Sequence, residues 1–476
     1  MIGILDYAAY IPISRLPREE IAKAWGRSPV PPQSGGERAV ANFDEDSLTL
    51  AAEAALRCLG HFEGPRPDGL YFASTTAPDH ERQAATVIAA AADLPREIRT
   101  ADFSGSLRAG TSALLAAFDA VKGGPAWSVL VAAADCRLAE PGQTAEALIG
   151  DGAAAFLVGE GEPVATVEAS HSVTEEFPGT WRRSGNRFIQ SDDEKFAATY
   201  GYQRIILEVM NGLLDKAKVS PKQLSKVVCP APDLGSYTAL AKASGIPLAF
   251  LQDPLLLSVG FTGTASPLLL LTTCLEQSQP GQLILVLSYG SGADAILLSV
   301  TDEIEAYRAR TVRDLVGQGR PLPSYQIYLK YRDLLRSQRG LWEVEPFSSL
   351  IMMWRENRQN LALYGVKCTK CEAIFFPSRR VCPRCETKDA FEPHKLGRKG
   401  KLVTFSKDRL YPGPESPTVM AVVDLEGGGR LFTQMTDCDP EALRIGTEVE
   451  LTLRKFHEAK GYIHYFWKAR PVGLGS

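Results

Sequence analysis

The stretch LILVLSYGSGADAILLSV, residues 283–300, contains two runs of strand-forming aliphatic residues around a glycine-rich hinge. Each run has the length of one strand, and the hinge glycines allow the chain to reverse direction. A helix-forming segment, SPLLLLTTCLEQ at 266–277, precedes the pair. Helices that alternate with short buried strands are typical of a layered α/β fold.

The same order of elements occurs once earlier in the chain. A small-residue helix at 109–121 leads to a hydrophobic strand and then to GDGAAAFLVG at 150–159. The repetition predicts two copies of one unit that share a core. Ser47 is predicted to cap the helix that follows it. The predicted strands are 69–75, 127–135, 153–159, 225–231, 282–290 and 294–300.

The composition is that of an ordinary globular protein. The 476 residues carry a net charge of −4, with 45% hydrophobic and 23% charged residues, which excludes intrinsic disorder and a polycationic nucleic-acid-binding chain. The first residues include Asp6 and lack a basic segment, so they do not resemble a secretory signal. The apolar patch 265–275 is shorter than the ~18 residues of a membrane span. We therefore expect a cytoplasmic protein with no membrane partner.

The character of the sequence changes after residue 301. A charged segment ends in PLP at 321–323, and a helix is predicted from Tyr325 to about Arg339. Five strands in a segment of about 80 residues suggest a small barrel of the OB type. The predicted strands of this barrel are 400–407, 417–425, 430–435, 447–456 and 461–469. The predicted domains are 1–320, 321–395 (a linker helix and a metal-binding ribbon) and 396–476.

Four of the nine cysteines form two Cys-x2-Cys pairs: Cys368 with Cys371, and Cys382 with Cys385. A Cys-x2-Cys turn directs two sulfurs at one ion, and four thiolates complete a closed tetrahedral shell. The spacing predicts a structural Zn²⁺, because no open ligand position remains for catalysis. Reduced structural cysteines and a redox pair are the alternatives.

Motifs in residues 1–300 are similar, in order and spacing, to hydroxymethylglutaryl-CoA synthases of the archaeal type, which belong to the thiolase superfamily. The motifs are GILDYAAYIP (3–12), DEDSLTLAAEAAL (44–56), ADFSGSLRAGTSAL (101–114), GDGAAAFLVG, WRRSGNRF (181–188) and VLSYGSGADA (286–295). This resemblance implies a five-layered αβαβα thiolase-like fold of two duplicated halves, dimerisation through the core sheets, and an acyl-CoA tunnel. Residues 324–476 resemble zinc-ribbon and OB-fold proteins that accompany thiolases as separate subunits.

The resemblance also implies that the family's catalytic residues are replaced. The nucleophilic Cys precedes a basic residue and Ala-Gly-Thr, and SLRAGT has Leu107 at that position. Thr75 in ASTTAP stands in place of the catalytic Glu, and Pro230 in VVCPAPD in place of the His. Phe261 in VGFTGTAS stands in place of the second-half Asn. Because the family's chemistry needs a thiol, a carboxylate and an imidazole, Cys-dependent acyl transfer is not expected here.

Ser106 and Cys229 are the two neighbouring groups that could replace the nucleophile. A serine needs a base, and the motifs place no His beside Ser106, whereas Cys229 has the character of a small core residue at a strand end. Asp151, Tyr289 and Asp294 match family positions that shape tight turns, with ligand contact by Tyr289 or Asp294 as the alternative. The other candidates stand in no recognisable motif: His80, His171 and Cys136.

Three functions are compatible with the sequence. The first is a non-catalytic, acyl-CoA-associated subunit, in a homodimeric core or a hetero-oligomer, that docks a thiolase with an intact Cys and His. The second is a Cys-independent aldolase that acts on a β-hydroxyacyl-CoA. The third, nucleic-acid binding through a basic and aromatic barrel face, is the least favoured, because strand alternation directs about half of such side chains into the core. The residues of that face are Arg454, Lys455, Tyr462, Tyr465, Phe466, Trp467, Lys468 and Arg470.

Overall fold

The structure is a computed structural model that describes residues 1–26, 35–124, 126–307, 312–335, 349–410 and 415–472. The chain forms two compact units. The first consists of Met1–Ala41, Asp46–Ile88 and Leu94–Tyr328, and the second of Asn42–Glu45, Ala89–Asp93 and Leu329–Ser476.

The strands and helices are numbered here in chain order. The strands up to residue 321 are β1 (Ile2–Tyr10), β2 (Ser14–Pro17), β3 (Glu37–Val40), β4 (Gly69–Ala73), β5 (Arg99–Phe103), β6 (Ser128–Asp135), β7 (Gly152–Glu160), β8 (Ala165–Thr174), β9 (Thr180–Trp181), β10 (Gln190–Ser191), β11 (Lys226–Val228), β12 (Leu283–Tyr289), β13 (Gly292–Val300) and β14 (Arg320–Pro321). The α-helices are α1 (Arg18–Trp25), α2 (Ser47–His61), α3 (Ala84–Ala91), α4 (Ala109–Lys122), α5 (Thr144–Leu148), α6 (Glu194–Phe196), α7 (Arg204–Ala217), α8 (Leu234–Ser244), α9 (Ser266–Leu275), α10 (Val312–Gly317), α11 (Tyr325–Tyr331), α12 (Leu350–Arg355) and α13 (Asn357–Asn360).

Nine of these strands form one mixed sheet in the order β11-β12-β13-β8-β1-β7-β6-β4-β5. In the first half, β4 and β6 are parallel and β6 and β7 are antiparallel; in the second half, β11 and β12 are parallel and β12 and β13 are antiparallel. The predicted duplication is therefore present in the strand topology. The two halves meet at β1 and β8, which share only two residue pairs, Gly3 with Thr166 and Ile4 with Ala165.

Both faces of the central strands are buried. On β12, Ile284 and Val286 contact a core that includes α4 and α9, whereas Leu285 and Leu287 contact a second core that includes α7. Successive strand residues point to opposite faces, so burial on both sides produces the continuous aliphatic run seen in the sequence. Helix α2 covers the first half and α7 covers the second half. Helices α4 and α9 contact each other between the two halves of the sheet, so the layers are helix, half-sheet, helix pair, half-sheet and helix, the five layers predicted.

The residue that caps α2 is Asp46, not Ser47 as predicted. The side chain of Asp46 accepts a hydrogen bond from the Thr49 backbone N–H at 2.9 Å, and Thr49 Oγ1 accepts one from the Asp46 N–H at 2.9 Å. This reciprocal capping box satisfies two helix-terminal donors at once. Ser47, one residue later, is already helical, and its hydroxyl donates to the Thr76 carbonyl instead.

The second unit contains the predicted ribbon and barrel. Its strands are β15 (Tyr364–Cys368), β16 (Ile374–Phe375), β17 (Phe391–Lys395), β18 (Lys399–Asp408), β19 (Thr418–Leu425), β20 (Arg430–Gln434), β21 (Glu448–Ala459) and β22 (Tyr462–Pro471). The ribbon sheet has the order β16-β15-β17 and the barrel sheet β20-β19-β18-β21-β22. A bridge between Met435 and Ala469 brings the end of β20 to β22, which closes the five strands into a barrel.

Two further predictions concern helices. The helix predicted from Tyr325 is α11, which ends at Tyr331, and residues 336–339 of that prediction lie outside the described residues. No described helix combines the length and apolar character needed to cross a membrane. The predicted domain boundaries stay predictions.

Candidate functional site

A cavity of about 220 Å³ in the first unit brings together three of the four positions singled out in the sequence. Leu107, Pro230 and Phe261 all line it. Each of them follows or precedes an element of the duplicated core: Leu107 precedes α4, Pro230 follows β11, and Phe261 lies shortly before α9. That these positions correspond to the family's Cys, His and Asn stays a prediction. Of the described residues that line the cavity, none is a cysteine or a histidine.

The chain at Leu107 is held by hydrogen bonds of its neighbours. The Ser106 hydroxyl donates to the Gly290 carbonyl at 2.7 Å. Arg108, which is half-buried, forms an ion pair with the buried Asp294 at 3.1 Å, and the Thr111 hydroxyl donates to the same carboxylate at 2.8 Å. Ser106 has no base beside it among these partners, and Asp294 holds the start of α4 against β13. These contacts favour structural roles for Ser106 and Asp294.

Cys229 lies beside Pro230 but is not a reactive thiol. It is 1% exposed, and the Tyr202 hydroxyl lies 3.4 Å from its sulfur and 3.0 Å from the Pro230 carbonyl oxygen. Burial raises the pKa of the Cys229 thiol to about 12, because the thiolate would lose its hydration. The thiolate is the nucleophilic form of cysteine, so Cys229 is inert near neutral pH.

Thr75 is the exception among the four positions, because it does not line the cavity. It lies on a separate polar cleft, where its hydroxyl donates to Asp135 Oδ2 at 3.0 Å and its N–H donates to Oδ1 at 2.7 Å. The same carboxylate accepts hydrogen bonds from Ser74, Thr76 and Thr264. Asp135 therefore joins the end of β4 to the turn that contains Phe261. An alcohol bonded in this way cannot replace a carboxylate as a proton carrier.

The tyrosines that line the cavity keep their protons, and its two acidic residues are a helix cap and an exposed residue at the rim. Burial raises the pKa of Tyr289 to about 12 and that of Tyr202 well above its ordinary value, so both hydroxyls stay protonated. Asp233 caps α8 by accepting from the Ser236 N–H at 2.8 Å. Glu194 is exposed at the rim. This set lacks a paired nucleophile and base.

Arg137 is the cavity residue that sequence reasoning missed. It is 6% exposed, lines the cavity, and its guanidinium carbon lies 5.8 Å from the centre of the Phe261 ring. Its pKa is lowered, chiefly by burial. A signal was present in the sequence: Arg137 is the first charged residue after Asp135, at the carboxyl end of a buried strand, where ligand sites of α/β sheets gather.

The remaining candidates lie away from the cavity. Asp151 Oδ2 accepts from the Ala41 N–H at 2.7 Å, which fixes the turn before β7. Cys136 donates its backbone N–H to Thr76, His80 is exposed on the polar cleft, and His171 is half-buried on β8. None of these arrangements indicates catalysis.

The four ribbon cysteines converge as predicted. All four sulfurs lie within 4.8 Å of one another, with 3.7 Å between Cys368 and Cys385 and 3.6 Å between Cys371 and Cys382. A zinc–sulfur bond of about 2.3 Å places the sulfurs of a tetrahedron about 3.8 Å apart, so the cluster fits Zn²⁺. The Cys368 N–H donates to Ala373 and the Cys382 N–H to Thr387, which shapes each Cys-x2-Cys turn.

Comparison with known proteins places this architecture in a family. The chain is 33% identical over 340 residues to the hydroxymethylglutaryl-CoA synthase of Thermococcus sibiricus, covering 70% of this chain and 96% of that protein. It is 31% identical over 347 residues to the synthase of Archaeoglobus fulgidus, covering 71% of this chain and all of that protein. The chain belongs to the hydroxymethylglutaryl-CoA synthase family.

Two solved structures share the fold of the first unit. MvaS in complex with 3-hydroxy-3-methylglutaryl coenzyme A matches with a TM-score of 0.60 and 21% identity over 72% of this chain and 94% of that chain. The 3-oxoacyl-(acyl carrier protein) synthase III of Pseudomonas aeruginosa PAO1 matches with a TM-score of 0.58 and 20% identity over 63% of this chain and 98% of that chain. The first unit of this family member thus has the thiolase-like α/β fold.

The C-terminal part of this synthase-family chain matches two further families. Residues 356–392 match the family described as the ChsH2 rubredoxin-like zinc ribbon domain, and residues 394–454 match the ChsH2 C-terminal OB-fold domain. Strands β15 and β16 and the four cysteines fall in the first match, which ends within β17, and β18 to β20 fall in the second. The predicted order of a thiolase-like domain, a zinc ribbon and an OB-fold is confirmed.

Proposed function

We propose that this chain is a non-catalytic, acyl-CoA-associated subunit of a thiolase-type complex that forms or cleaves a carbon–carbon bond of an acyl-CoA. The cavity at Leu107, Pro230 and Phe261 carries this proposal. A leucine side chain cannot form a thioester, and a proline ring cannot transfer a proton. The described residues that line the cavity lack a paired nucleophile and base.

The acyl-CoA part of the proposal is supported by the family relationship. The solved structure of MvaS, which shares the fold, holds 3-hydroxy-3-methylglutaryl coenzyme A, and a solved structure of an HMG-CoA synthase is complexed with CoA. The cavity is lined by Leu107, Phe177 and Phe261, which suit an acyl chain. The reaction itself would then take place in a thiolase partner with an intact Cys and His, within a homodimeric core or a hetero-oligomer.

The second unit is the proposed docking module for that partner. Its ribbon needs a metal to hold the two Cys-x2-Cys turns together, and Zn²⁺ bound by the four cysteines would have this structural role. No open ligand position is available on such an ion. The module would act by presenting a rigid surface to the partner.

The test is reconstitution with a Cys-bearing thiolase encoded beside this chain or co-purified with it. The isolated chain should show no thiolase or synthase turnover, and the mixture should be active. Replacing the partner's nucleophilic Cys by Ala should abolish the activity of the mixture. Turnover by the isolated chain, or an acyl group attached to it in a mass spectrum, would contradict the proposal.

A Cys-independent aldolase is the second candidate, since two protonated tyrosines, Tyr202 and Tyr289, line the cavity. Either hydroxyl could donate a proton to a developing oxyanion. Release of a ketone or aldehyde from a β-hydroxyacyl-CoA by the pure chain, with loss of this activity in Tyr289→Phe, would favour the aldolase over the subunit.

Nucleic-acid binding through the predicted barrel face is disfavoured by the burial of its residues. Four residues of the predicted stacking face are buried: Arg454, Tyr465, Trp467 and Lys468 are each at most 2% exposed. Arg470 forms an ion pair with Glu450. A buried side chain cannot stack on a base or contact a phosphate, so the predicted residues do not form an accessible face together.

A further inference from the structure

Helix α12 of the second unit exposes large apolar side chains to solvent. Four of its six residues are of this kind: Leu350, Ile351, Met352 and Trp354. Trp354 is 79% exposed and Ile351 is 74% exposed. A large apolar side chain that stays in water contributes none of the free energy that its burial would supply, and the loss is greatest for an aromatic ring. Such a helix is typical of a surface that a partner covers.

The exposed area of α12 is large enough to form the centre of an interface. At roughly 200 Å² for each large side chain, the four side chains together expose about 500 Å². The largest apolar patch of a typical monomer measures roughly 300–600 Å² and is often functional. One side of a stable protein–protein interface buries about 800 Å², of which the centre is apolar and the rim polar. The four side chains are therefore sufficient for the apolar centre of one side.

The helix is held on the zinc ribbon by the residues that follow it. The Arg358 guanidinium, in α13, lies 3.9 Å from the centre of the Tyr364 ring at the start of β15. The side-chain oxygen of Gln359 accepts a hydrogen bond from the Ser378 N–H at 2.8 Å. Both contacts join α13 to the ribbon, and α13 follows α12 after a single residue. The ribbon therefore fixes the position at which α12 presents its apolar side chains.

The surroundings of these apolar side chains are positively charged. Arg355 and Arg358 are both exposed. The segment 349–395, which contains α12, α13 and the ribbon, has nine Lys and Arg against five Asp and Glu. A Zn²⁺ bound by four thiolates would add two negative charges, and the excess would remain positive. An apolar centre beside a basic rim is complementary to a groove with an apolar floor and an acidic rim.

We propose that α12 is the element by which the second unit docks its thiolase partner, and that it binds a groove of that partner with an apolar floor and an acidic rim. Leu350, Ile351 and Trp354 have the spacing i, i+1 and i+4, which places them on one side of the helix, as in helix-in-groove recognition. Tryptophan is enriched among the residues that carry most of the binding energy of an interface, so Trp354 is the central anchor. This inference rests on the proposed function and adds the surface used and the chemistry of the partner's side.

The first measurement is the affinity of the full chain, supplied with zinc, for the Cys-bearing thiolase used in the reconstitution. In biolayer interferometry, Trp354→Ala should raise the Kd about thirtyfold or more, because the anchor side chain is lost. Phe432→Ala is the matched control. Phe432 is also an exposed aromatic residue of the second unit, on β20, and its replacement should leave the Kd within about twofold.

Charge reversal tests the basic rim. Arg355→Glu should weaken binding about fivefold and reduce the dependence of the association rate on salt, because repulsion from an acidic rim replaces attraction. Lys401→Glu reverses an exposed charge on β18 of the same unit and should change neither quantity. Equal effects of the two reversals would assign them to the net charge of the unit and would contradict an acidic rim opposite Arg355.

Photocrosslinking identifies what covers the helix. With p-benzoylphenylalanine in place of Trp354, irradiation of the mixture should join this chain to the thiolase, and mass spectrometry should place the crosslink among apolar residues of the thiolase with Asp or Glu beside them. A crosslink only to a second copy of this chain, or only to another segment of the same copy, would overturn the inference. Because Trp354 is exposed, its replacement leaves the folded unit intact, and circular dichroism of each variant checks this.

Failure of this inference can be distinguished from failure of the proposed function. Equal affinity of the wild type and Trp354→Ala for the thiolase would overturn docking through α12 and leave the subunit role intact. The same holds if Trp354→Ala abolishes only binding to vesicles of phosphatidylglycerol and phosphatidylcholine, which would assign the helix to a membrane surface. Absence of any binding between the wild-type chain and the thiolase would overturn the inference and the proposed function together.

Discussion

At the scale of the single residue, the first unit is organised by buried carboxylates whose surroundings differ. Asp135 collects hydroxyl and backbone donors from two separate loops, and Asp294 pairs with Arg108. Asp6 on β1 has fewer stabilising neighbours: it is 3% exposed, and the Tyr307 hydroxyl donates a hydrogen bond to it at 2.5 Å. Buried aspartates thus have three roles here: Asp135 accepts hydrogen bonds from two loops, Asp294 forms an ion pair, and Asp6 is a buried acid.

The buried acid Asp6 makes stability depend on pH. Burial raises its pKa from 3.8 to about 7, and this outweighs the hydrogen bonds that favour the carboxylate. The folded chain thus keeps a proton that the unfolded chain has lost, so the free energy of unfolding decreases as the pH rises from about 4 to about 7. Asp6→Asn should remove this decrease and stabilise the protein by about 2–4 kcal/mol at pH 8.

Urea unfolding at pH 5 and pH 8 measures this effect. Asp119→Asn is the control, because Asp119 is an exposed residue of α4 and its replacement should leave the pH dependence unchanged. An Asp6→Asn variant that retains the wild-type decrease between the two pH values would show that Asp6 does not cause this decrease.

At the scale of the element, the β12–β13 hairpin depends on a glycine that no other residue can replace. Gly292 has a φ of +105°, and a Cβ at this position would lie 2.1 Å from the Val173 carbonyl oxygen of β8. Both the left-handed backbone and the close strand approach require the absence of a side chain. The hinge in LILVLSYGSGADAILLSV is therefore needed for the pairing of β13 with β8 as well as for the turn.

Gly292→Ala should lower the free energy of unfolding by at least about 2 kcal/mol, because it adds backbone strain and a clash with main-chain atoms. Gly60→Ala is the matched control, since Gly60 lies in α2 and a Cβ there would meet no other atom within 4 Å, so that a methyl group should be neutral or stabilising. Chemical denaturation of both variants gives the comparison. Equal effects of the two substitutions would contradict the account of Gly292.

At the scale of the whole molecule, the chain combines two units with different sources of stability. The first has extensive apolar cores on both sides of its sheet. The second contains a small ribbon whose short strands β15 and β16 are joined by only two residue pairs. A ribbon of this size cannot bury enough apolar surface to be stable alone, so the metal supplies part of its folding free energy.

Removal of the metal should therefore affect the ribbon selectively. After treatment with a strong zinc chelator, amides of 364–391 should lose protection in hydrogen–deuterium exchange, whereas those of β12 and β13 should keep theirs. Elemental analysis should give one zinc per chain before treatment. Cys385→Ser should reproduce the loss, and Cys438→Ser, which changes a cysteine outside the cluster, should not. Unchanged protection of 364–391 without metal would show that the ribbon folds without it.

The sequence by itself determined the features that neighbouring residues encode. Strand runs, glycine hinges and the Cys-x2-Cys pairs are patterns within a few residues, and the structure has the strands, the convergent sulfurs and the closed barrel that they predict. The cap of α2 shows the limit of this reasoning: Asp46 and Ser47 are both good caps, and only the hydrogen bond to Thr49 distinguishes them.

Only the tertiary structure decided how the candidate site is built. Asp135 and Thr264 are 129 positions apart in the chain, and their hydrogen bond exists because β6 and the turn before α9 meet in the fold. The burial of Cys229, the separation of Thr75 from the cavity and the position of Arg137 have the same origin. Burial and pairing are properties of distant segments brought together, and no local pattern specifies which segments will meet.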